Sequence, residues 1–293
     1  MGESDVETNA GFSRLNTIAL TALAMVAFAA NSVLCRMALG AGLIDAASFA
    51  TIRVIAGAVV LAVLAILQRR KRSRAPADWR MVVALFGYMA FFSFAYVTLS
   101  TGTGALILFA AVQLTMFAVA LRSGERFSFV SWFGLFVAFA GLIYLVSPGI
   151  TAPDPVGAML MAVAGIAWGF YSLLGRGVAD PLQVTASNFI FCVPLVVAVS
   201  LIFFADHHAT LGGVVLASAS GGIASGIGYA IWYRALRGLS ATHAATVQLT
   251  VPAIAALGGV LFMAEDVSAR LLLASAATLG GVWVVLTYRS ESG

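Results

Sequence analysis

The residues of this sequence that are best suited to chemistry are polar and aromatic side chains that interrupt long apolar runs. A polar group inside an apolar environment is costly unless it is paired or lines a wet cavity, so each position is a candidate ligand contact. Aromatic rings can hold another ring by stacking and an ammonium group by cation–π contact of about 0.5–2 kcal/mol. The candidate substrate-binding residues are Asn31, Ser32, Tyr88, Phe92, Tyr96, Gln113, Trp168, Tyr171, Asn188, Tyr229, Trp232, His243 and Gln248.

Two groups of these residues follow helical spacing, and each forms one stripe: Tyr88-Phe92-Tyr96 and Ser225-Tyr229-Trp232. Structural explanations stay open beside the functional one. Aromatic stripes also serve packing or lipid contact, amides bridge helices, and serine or threonine hydroxyls bond back to their own helix. An aromatic or other hydrophobic amino acid would suit such a set, because hydroxyls and amides can bind its carboxylate, but many metabolites and drugs would also suit it.

The composition is that of an integral membrane protein. Hydrophobic residues make up 61% of the 293 positions and charged residues 10%, with a mean hydropathy of +1.02, whereas soluble domains carry about 25% charged residues. The formal net charge of +4 is expected to set membrane orientation, so the lipid bilayer is the expected partner and nucleic acid is not. Cys35 and Cys192 lie in apolar runs as packed free thiols, and no metal or cofactor is expected.

Ten apolar runs are long enough to span a bilayer, which requires about 20 residues. They lie near 15–38, 46–68, 80–100, 103–121, 128–147, 155–175, 183–204, 211–236, 240–263 and 268–288, and the break between the third and fourth is placed at Gly102 and Gly104. The loop with Arg69, Arg70, Lys71, Arg72 and Arg74 is assigned to the cytoplasm by the positive-inside rule. The fold class is therefore an all-α integral membrane protein of ten helices with both termini inside.

The chain reads as one unit written twice. Val-Gln-Leu-Thr occurs at 112–115 and again at 247–250, and Glu125 and Gly141 are followed 140 residues later by Glu265 and Gly281. Each unit holds five spans, so the second unit enters the membrane from the opposite face, and a substrate site is expected between the two inverted halves. The units are residues 15–147 and 155–288, joined by a linker at 148–154.

Glycines and one proline are the candidate gating and kink positions. Gly165 and Gly169 form a GxxxG pattern in the sixth span, and Gly222 and Gly226 form another in the eighth. Such small surfaces allow close helix packing, which is their structural explanation, and they also permit rocking. Pro252 removes a backbone donor and is expected to kink the ninth span.

The paired Glu125/Gly141 and Glu265/Gly281, with Pro252 in the ninth span, resemble the drug/metabolite transporter superfamily and its two-repeat EamA-type members. The resemblance covers residues 15–288 and departs at Phe117, which stands where the repeat would place a second proline. Within that superfamily the chain looks most like bacterial inner-membrane exporters of aromatic amino acids. The resemblance implies export of amino acids and related metabolites by alternating access.

Charge within the spans bears on coupling and on the substrate. No Asp or Glu lies in the middle of a span, and Asn31 stands in the first span, where the related small multidrug antiporters use a glutamate. Facilitative movement is therefore expected, with His243 as the one embedded group that titrates near neutrality. Embedded charge is limited to Arg36 and Arg53, and extension outward to a membrane surface is an open alternative for both. A net-neutral or zwitterionic substrate is therefore favoured.

Other functions are weighed against amino-acid export. A broad drug or metabolite exporter with proton coupling is the alternative within transport. An enzyme finds no support, since neither a Ser/His/Asp arrangement nor an HExxH motif is present and His207-His208 lack a third ligand. A channel would differ from a carrier in the saturation of its flux. The sequence leaves the oligomeric state open, with a monomer among the states considered.

Overall fold

The chain is helical wherever its structure is described. A computed structural model describes residues 14–67, 78–125, 127–176, 178–239 and 241–288. Within these ranges there is no β-sheet, only one isolated bridge between Ile44 and Ala209. Nine described helical segments are long and apolar enough to cross a membrane, and Trp79–Ala95 is a shorter apolar helix of 17 residues. The protein is a multi-pass membrane protein, and the basic loop at 69–74 lies outside the described residues.

The first half contains five helices. They are α1 Arg14–Gly40, α2 Ala46–Leu67, α3 Trp79–Ala95, α4 Thr101–Arg122 and α5 Phe129–Val146. Capping side chains fix two of their starts, because the first backbone N–H groups of a helix lack intrahelical partners. Asp78 accepts a hydrogen bond from the Arg80 backbone N–H at 2.9 Å, and Ser128 Oγ accepts one from Ser131 at 3.1 Å.

The second half is more interrupted than the first. Its helices are α6 Pro155–Leu174, α7 Pro181–Ile202, α8 Leu211–Ala219, α9 Gly228–Ala235, α10 Ala241–Gln248, α11 Val251–Met263 and α12 Ala269–Thr287. A π-helical stretch at Ser220–Ile227, called the π segment below, joins α8 to α9. Proline opens α6 and α7, where its missing N–H costs nothing, and Asp154 and Asp180 cap the same two helices.

The predicted boundary between the third and fourth spans is wrong. Helix α3 ends at Ala95, five residues before the expected end at 100, and a turn stabilised by a bond from Leu99 N to Ala95 O leads into α4. Gly102 and Gly104 lie inside α4. A Cβ at Gly102 would meet Ala256 at 2.7 Å, so these glycines allow close packing and do not mark a turn.

The ninth span is broken where the sequence places its proline. Helix α10 ends at Gln248, Leu249 and Thr250 form a turn, and α11 begins at Val251 with Pro252 in its first turn. Proline fits the first turn of a helix and cannot continue a preceding one. The span is therefore two helices and not the single run expected at 240–263.

Helix packing has the same pattern in both halves. Helix α5 packs on α12, and α2 packs on α7. Helix α6 contacts α3 and α4, while α1 contacts α9 and α11, their counterparts in the other half. Gly134 of α5 and Gly281 of α12 each lie against the other's backbone carbonyl. Each of these contacts between two helices therefore has an equivalent contact between their counterparts in the other half.

The two ends of the helix bundle differ in the elements and contacts found there. At one end, called the linker end, Thr98 donates a hydrogen bond to Asp154 at 3.0 Å and Arg270 donates to the carbonyl of Ser147, which together hold the 148–154 linker against the bundle. At the other end, called the cavity end, α6 and α9 finish while α7 and α10 begin. The two ends enclose the candidate site.

Candidate functional site

A cavity of about 350 Å³ opens at the cavity end. Its walls come from α3, α4, α6, α7, α9 and α10, and Arg176 and Leu236 line it just beyond the ends of α6 and α9. The volume falls within the range of about 300–1,000 Å³ that is typical of small-molecule sites. The predicted site residues that line it are Trp168, Tyr171, Tyr229, Trp232 and Gln248.

Aromatic rings close the inner end of this cavity. Trp168 stacks on Tyr171 and on Tyr229, with 5.4 Å between ring centroids in each pair. Tyr88 lies 4.8 Å from the Trp168 ring. Trp168 and Tyr229 also line a second, interior void, so they separate it from the cavity. We call Trp168 and Tyr229 the aromatic floor.

The interior void above the aromatic floor is small and partly polar. Its volume of about 20 Å³ is enough for roughly one water molecule. Asn31, Ser32, Tyr88 and Phe92 line it, so the polar pair of α1 and two of the three α3 stripe residues face the interior. Ser225 of the π segment also lines it, and its buried hydroxyl has no hydrogen-bond partner among the described residues.

A chain of hydrogen bonds joins three elements around this void. Ser220 Oγ donates to Asn31 Oδ1 at 2.6 Å, and Asn31 Nδ2 donates to the Tyr88 hydroxyl at 3.3 Å. Ser220 is the first residue of the π segment. π-Helical turns alter the register of side chains around a helix and are frequent at functional sites. The ordinary helical period assumed for the eighth span did not predict this placement.

Arg53 lies beside the void, so of the two alternatives left open for it, embedded in the span or extended to a membrane surface, the structure shows the first. Its side chain is 0% exposed. Nη2 donates to the Tyr88 hydroxyl at 3.1 Å, and the guanidinium carbon lies 4.7 Å from the Phe92 ring centroid. Gly221 of the π segment lies against the backbone of Arg53, because only a residue without a side chain fits there. A lone arginine in the middle of an apolar run was the available signal.

A second polar network lies between α6, α7 and α9. Asn188 Nδ2 donates to the Tyr171 hydroxyl at 3.4 Å, and that hydroxyl donates to Thr185 Oγ1 at 3.4 Å. Thr185 Oγ1 lies 2.7 Å from the Tyr233 hydroxyl. Asn188 is fully buried, so it bridges helices, which is the structural explanation considered for it above. Tyr171 remains at the cavity wall.

Three further predicted residues line neither the cavity nor the interior void, and a fourth forms a hydrogen bond within its own helix. Tyr96 is fully buried and donates to the Thr101 carbonyl at 3.3 Å, which stabilises the α3–α4 turn. Gln113 lines a groove of about 280 Å³ between α4, α5 and α12, which shares Met116, Arg176 and Ala245 with the cavity. His243 is exposed in the first turn of α10 and does not line the cavity, so it is not the embedded group expected. Gln248 reaches the cavity, but its Nε2 donates to Ala244 O of its own helix at 3.0 Å.

The predicted glycine positions are sites of close helix packing. A Cβ at Gly165 would meet Ala111 of α4 at 2.6 Å, and one at Gly169 would meet Thr115 at 2.9 Å. Gly222 and Gly226 lie against Val60 of α2. In the described part of the chain, no group of three or more His, Cys, Asp or Glu residues is arranged to hold a metal ion.

The linker end is closed by a contact that the sequence did not predict. Arg36 Nε pairs with Glu265 Oε1 at 3.2 Å, and Arg36 Nη1 donates to the Val97 carbonyl at 2.9 Å. Glu265 Oε2 accepts a hydrogen bond from Thr101 N at 2.8 Å. Arg36 therefore does not simply extend into solvent. We call Arg36 and Glu265 the linker-end lock, because they tie α1, the α3–α4 turn and the end of α11 together.

Known proteins similar to this chain share its length and fold. An uncharacterised protein of Pseudomonas aeruginosa is 48% identical over 93% of this chain and 95% of its own length. An uncharacterised transporter of Archaeoglobus fulgidus is 25% identical over 83% of this chain and 89% of its own. A crystal structure of a protein that is 18% identical superposes with a TM-score of 0.66 and covers 94% of this chain and 99% of the other, which shows a shared fold.

The family assignment rests on both halves of the chain. The model of the EamA-like transporter family matches residues 15–147 and again residues 155–287. Together these matches span nearly all of the described helices. An uncharacterised transporter of Bacillus subtilis, 20% identical over 80% of this chain and 85% of its own, agrees with that description. The chain belongs to the EamA-like transporter family and is a membrane transporter of small metabolites, not an enzyme.

Proposed function

We propose that this protein exports aromatic or other hydrophobic amino acids and related small metabolites by alternating access. The observation that carries the proposal is an aromatic-walled cavity open at one end of the bundle while the linker-end lock closes the other. An amino acid of this class offers a ring for Trp168 and Trp232 to contact. A carrier must close one end while the other is open, and this structure has that asymmetry.

The membrane orientation follows from basic residues. The positive-inside rule assigns the cavity end, with Arg176 and Arg234, to the cytoplasm of a bacterial inner membrane. Ten spans with both termini inside then place the linker on the outer face. The exchange of helix pairs between the halves supports two inverted five-helix repeats. The partners are the small-molecule substrate and the bilayer, with no nucleic acid, and one chain holds the complete cavity.

Facilitative movement is the proposed energetics. Among the described residues that line the cavity and the interior void, none is an aspartate or a glutamate. Proton-coupled carriers use such embedded carboxylates to bind the proton. The solvent-exposed position of His243 removes the one imidazole that the sequence offered for this role. Substrate is therefore expected to move down its own gradient.

Transport by the purified chain in liposomes tests the proposal. Labelled tryptophan and phenylalanine should show saturable counterflow that is the same with and without a pH gradient. Trp232→Ala should raise KM roughly threefold to tenfold, since an aromatic contact contributes about 0.5–1.5 kcal/mol. Trp283→Ala is the matched control, because Trp283 is 50% exposed on α12 and lines neither cavity. Counterflow of cationic dyes without any amino acid, or uphill transport driven by protons, would contradict the proposal.

A further inference from the structure

Arg53 is a buried cation whose charge no described residue neutralises. No carboxylate of the described chain forms an ion pair with it, and its side chain is 0% exposed. Only Nη2 has a hydrogen-bond partner, the Tyr88 hydroxyl, while Nε and Nη1 have none among the described residues. Arginine stays protonated in proteins. The interior therefore holds a fixed positive charge with unused donors.

The surroundings of Arg53 compensate its burial only in part. Transfer of a charged group into a protein interior is unfavourable even after relaxation. The guanidinium carbon lies 4.7 Å from the Phe92 ring and 5.3 Å from the Tyr88 ring, and these cation–π contacts offset only part of that cost. The remaining imbalance favours any anion that can reach the two free donors, because a charge-assisted hydrogen bond is about twice as strong as a neutral one.

Arg53 lies directly behind residues that line the interior void. Its hydrogen-bond partner Tyr88 and its cation–π partner Phe92 both line that void. The aromatic floor, Trp168 and Tyr229, lines both the void and the open cavity. A ligand that passed the floor would meet Tyr88, and displacement of the Tyr88 ring would bring the ligand to the guanidinium.

We propose that Arg53 binds the carboxylate of the transported molecule, which assigns carboxylate-bearing substrates to this carrier. This inference rests on the proposed transport function and narrows its substrate class. One fixed cation matches one carboxylate. The Trp168 and Tyr229 rings accommodate the hydrophobic part of the same molecule, and Asn31 and Ser225 add neutral hydrogen-bonding groups at the void.

Binding of matched ligand pairs to the full-length protein tests the role of the carboxylate without any substitution. Tryptophan, 3-indolepropionate, tryptophanamide and tryptamine share one ring system, but only the first two carry a carboxylate. Affinities measured by calorimetry in nanodiscs should be at least tenfold tighter for tryptophan than for its amide. Indolepropionate should bind and tryptamine should not. Equal affinities of the acid and the amide would overturn the inference.

Two variants then assign the effect to Arg53. Arg53→Met keeps the length and removes the charge, so tryptophan should fall to the affinity of its amide while the amide is unchanged. Arg53→Lys keeps the charge and should retain part of the preference. An unaltered preference for acids in a folded Arg53→Met protein would overturn the assignment, because a purely structural role would weaken acid and amide alike. If Arg53→Met does not fold, the acid-to-amide ratio in Arg53→Lys and in the unmodified protein decides.

Failure of the inference and failure of the proposed function give different results. If indolepropionate and other carboxylates bind in an Arg53-dependent way but tryptophan and phenylalanine do not, the amino-acid proposal fails and the carboxylate site stands. If amino acids or dyes bind equally well with and without the Arg53 charge, the carboxylate site fails. Absence of binding by any carboxylate also overturns it.

Discussion

The two ends of the bundle are closed and opened by different chemistry. At the linker end, charged side chains and loop carbonyls tie neighbouring elements together: Arg36 pairs with Glu265, and Arg270 Nη1 donates to the carbonyls of Leu145 and Ser147. At the cavity end, aromatic and aliphatic walls face one another across about 350 Å³. An ion pair holds its two side chains at a fixed geometry and is lost as a whole, whereas apolar surfaces can slide past one another. The closed end is therefore held by a few specific contacts, and under the proposed alternating-access mechanism these contacts are where the conformational state would be changed.

A second set of linker-end contacts is independent of the lock. Asp45, in the α1–α2 loop, accepts hydrogen bonds from the backbone N–H of Ser48 at 2.8 Å and of His208 at 3.1 Å. Ser48 Oγ lies 2.9 Å from His207 Nδ1. We call Asp45, Ser48, His207 and His208 the loop clamp, since they join the α1–α2 loop to the α7–α8 loop. Variants of the lock, the clamp and the aromatic floor would show which of these contacts keeps the linker end closed while the cavity end is open.

The largest effect is expected from breaking the linker-end lock. The two side chains of the lock are 22% and 16% exposed, so removal of one charge should cost about 1–3 kcal/mol, between an exposed pair and a fully buried one. Glu265→Gln should therefore raise the population open at the linker end roughly tenfold. Spin labels would be attached at the exposed positions 41 and 267 in a protein whose Cys35 and Cys192 have been replaced. A larger open population would appear as a longer distance between the two labels.

Arg80→Gln is the matched control for the lock. It removes the Asp78–Arg80 pair at the start of α3, whose side chains are 36% and 76% exposed, and pairs as exposed as this contribute little to stability. The distance distribution between Ala41 and Val267 should stay that of the unmodified protein. If Glu265→Gln also leaves it unchanged, contacts other than the lock close the linker end.

The sequence predicted the spans well and the contacts between them poorly, for a physical reason. Apolar runs must match the bilayer thickness, so nearly every helix is marked by length and composition. Pro252 marked the break in the ninth span, because proline fits the first turn of a helix and cannot continue a preceding one. The pairing of Arg36 with Glu265 joins residues 229 positions apart, and nothing local to either residue specifies its partner.

Burial and register were equally hidden from local patterns. Arg53 looked able to reach a membrane surface because its position in α2 gives no sign of which neighbour covers it. Its cover is Gly221, whose lack of a side chain brings the π segment against α2. The π segment itself changes the side-chain register of the eighth span, and an assumption of 3.6 residues per turn did not identify Ser220 as the partner of Asn31. The α3 stripe, in an uninterrupted helix, was largely placed correctly.

The aromatic floor should give the next largest effect. Trp168→Ala would join the interior void to the cavity, because Trp168 lines both. A cysteine at position 225, which is 1% exposed in the void, should then react with a water-soluble thiol reagent about tenfold faster. The background is Ser225→Cys with Cys35 and Cys192 replaced. Trp283→Ala in the same background should leave the rate unchanged, and an equal rate in both tryptophan variants would show that the floor does not isolate the void.

The smallest effect is expected from acid at the loop clamp. Burial alone would raise the pKa of Asp45, but the hydrogen bonds from Ser48 and His208 outweigh it and lower that pKa below its ordinary value of 3.8. The clamp is therefore at full strength above that value and weakens as the pH falls through the lower pKa of the folded state. Spin labels at the exposed Ala41 and Leu211 should keep their distance from pH 7 to pH 5 and separate only below about pH 4. Asp45→Asn should separate them at pH 7 and remove the pH dependence, whereas Asp206→Asn, in the same loop as His208, should preserve it. A transition that persists in Asp45→Asn would assign the acid response to another group and leave the lock alone to hold the linker end.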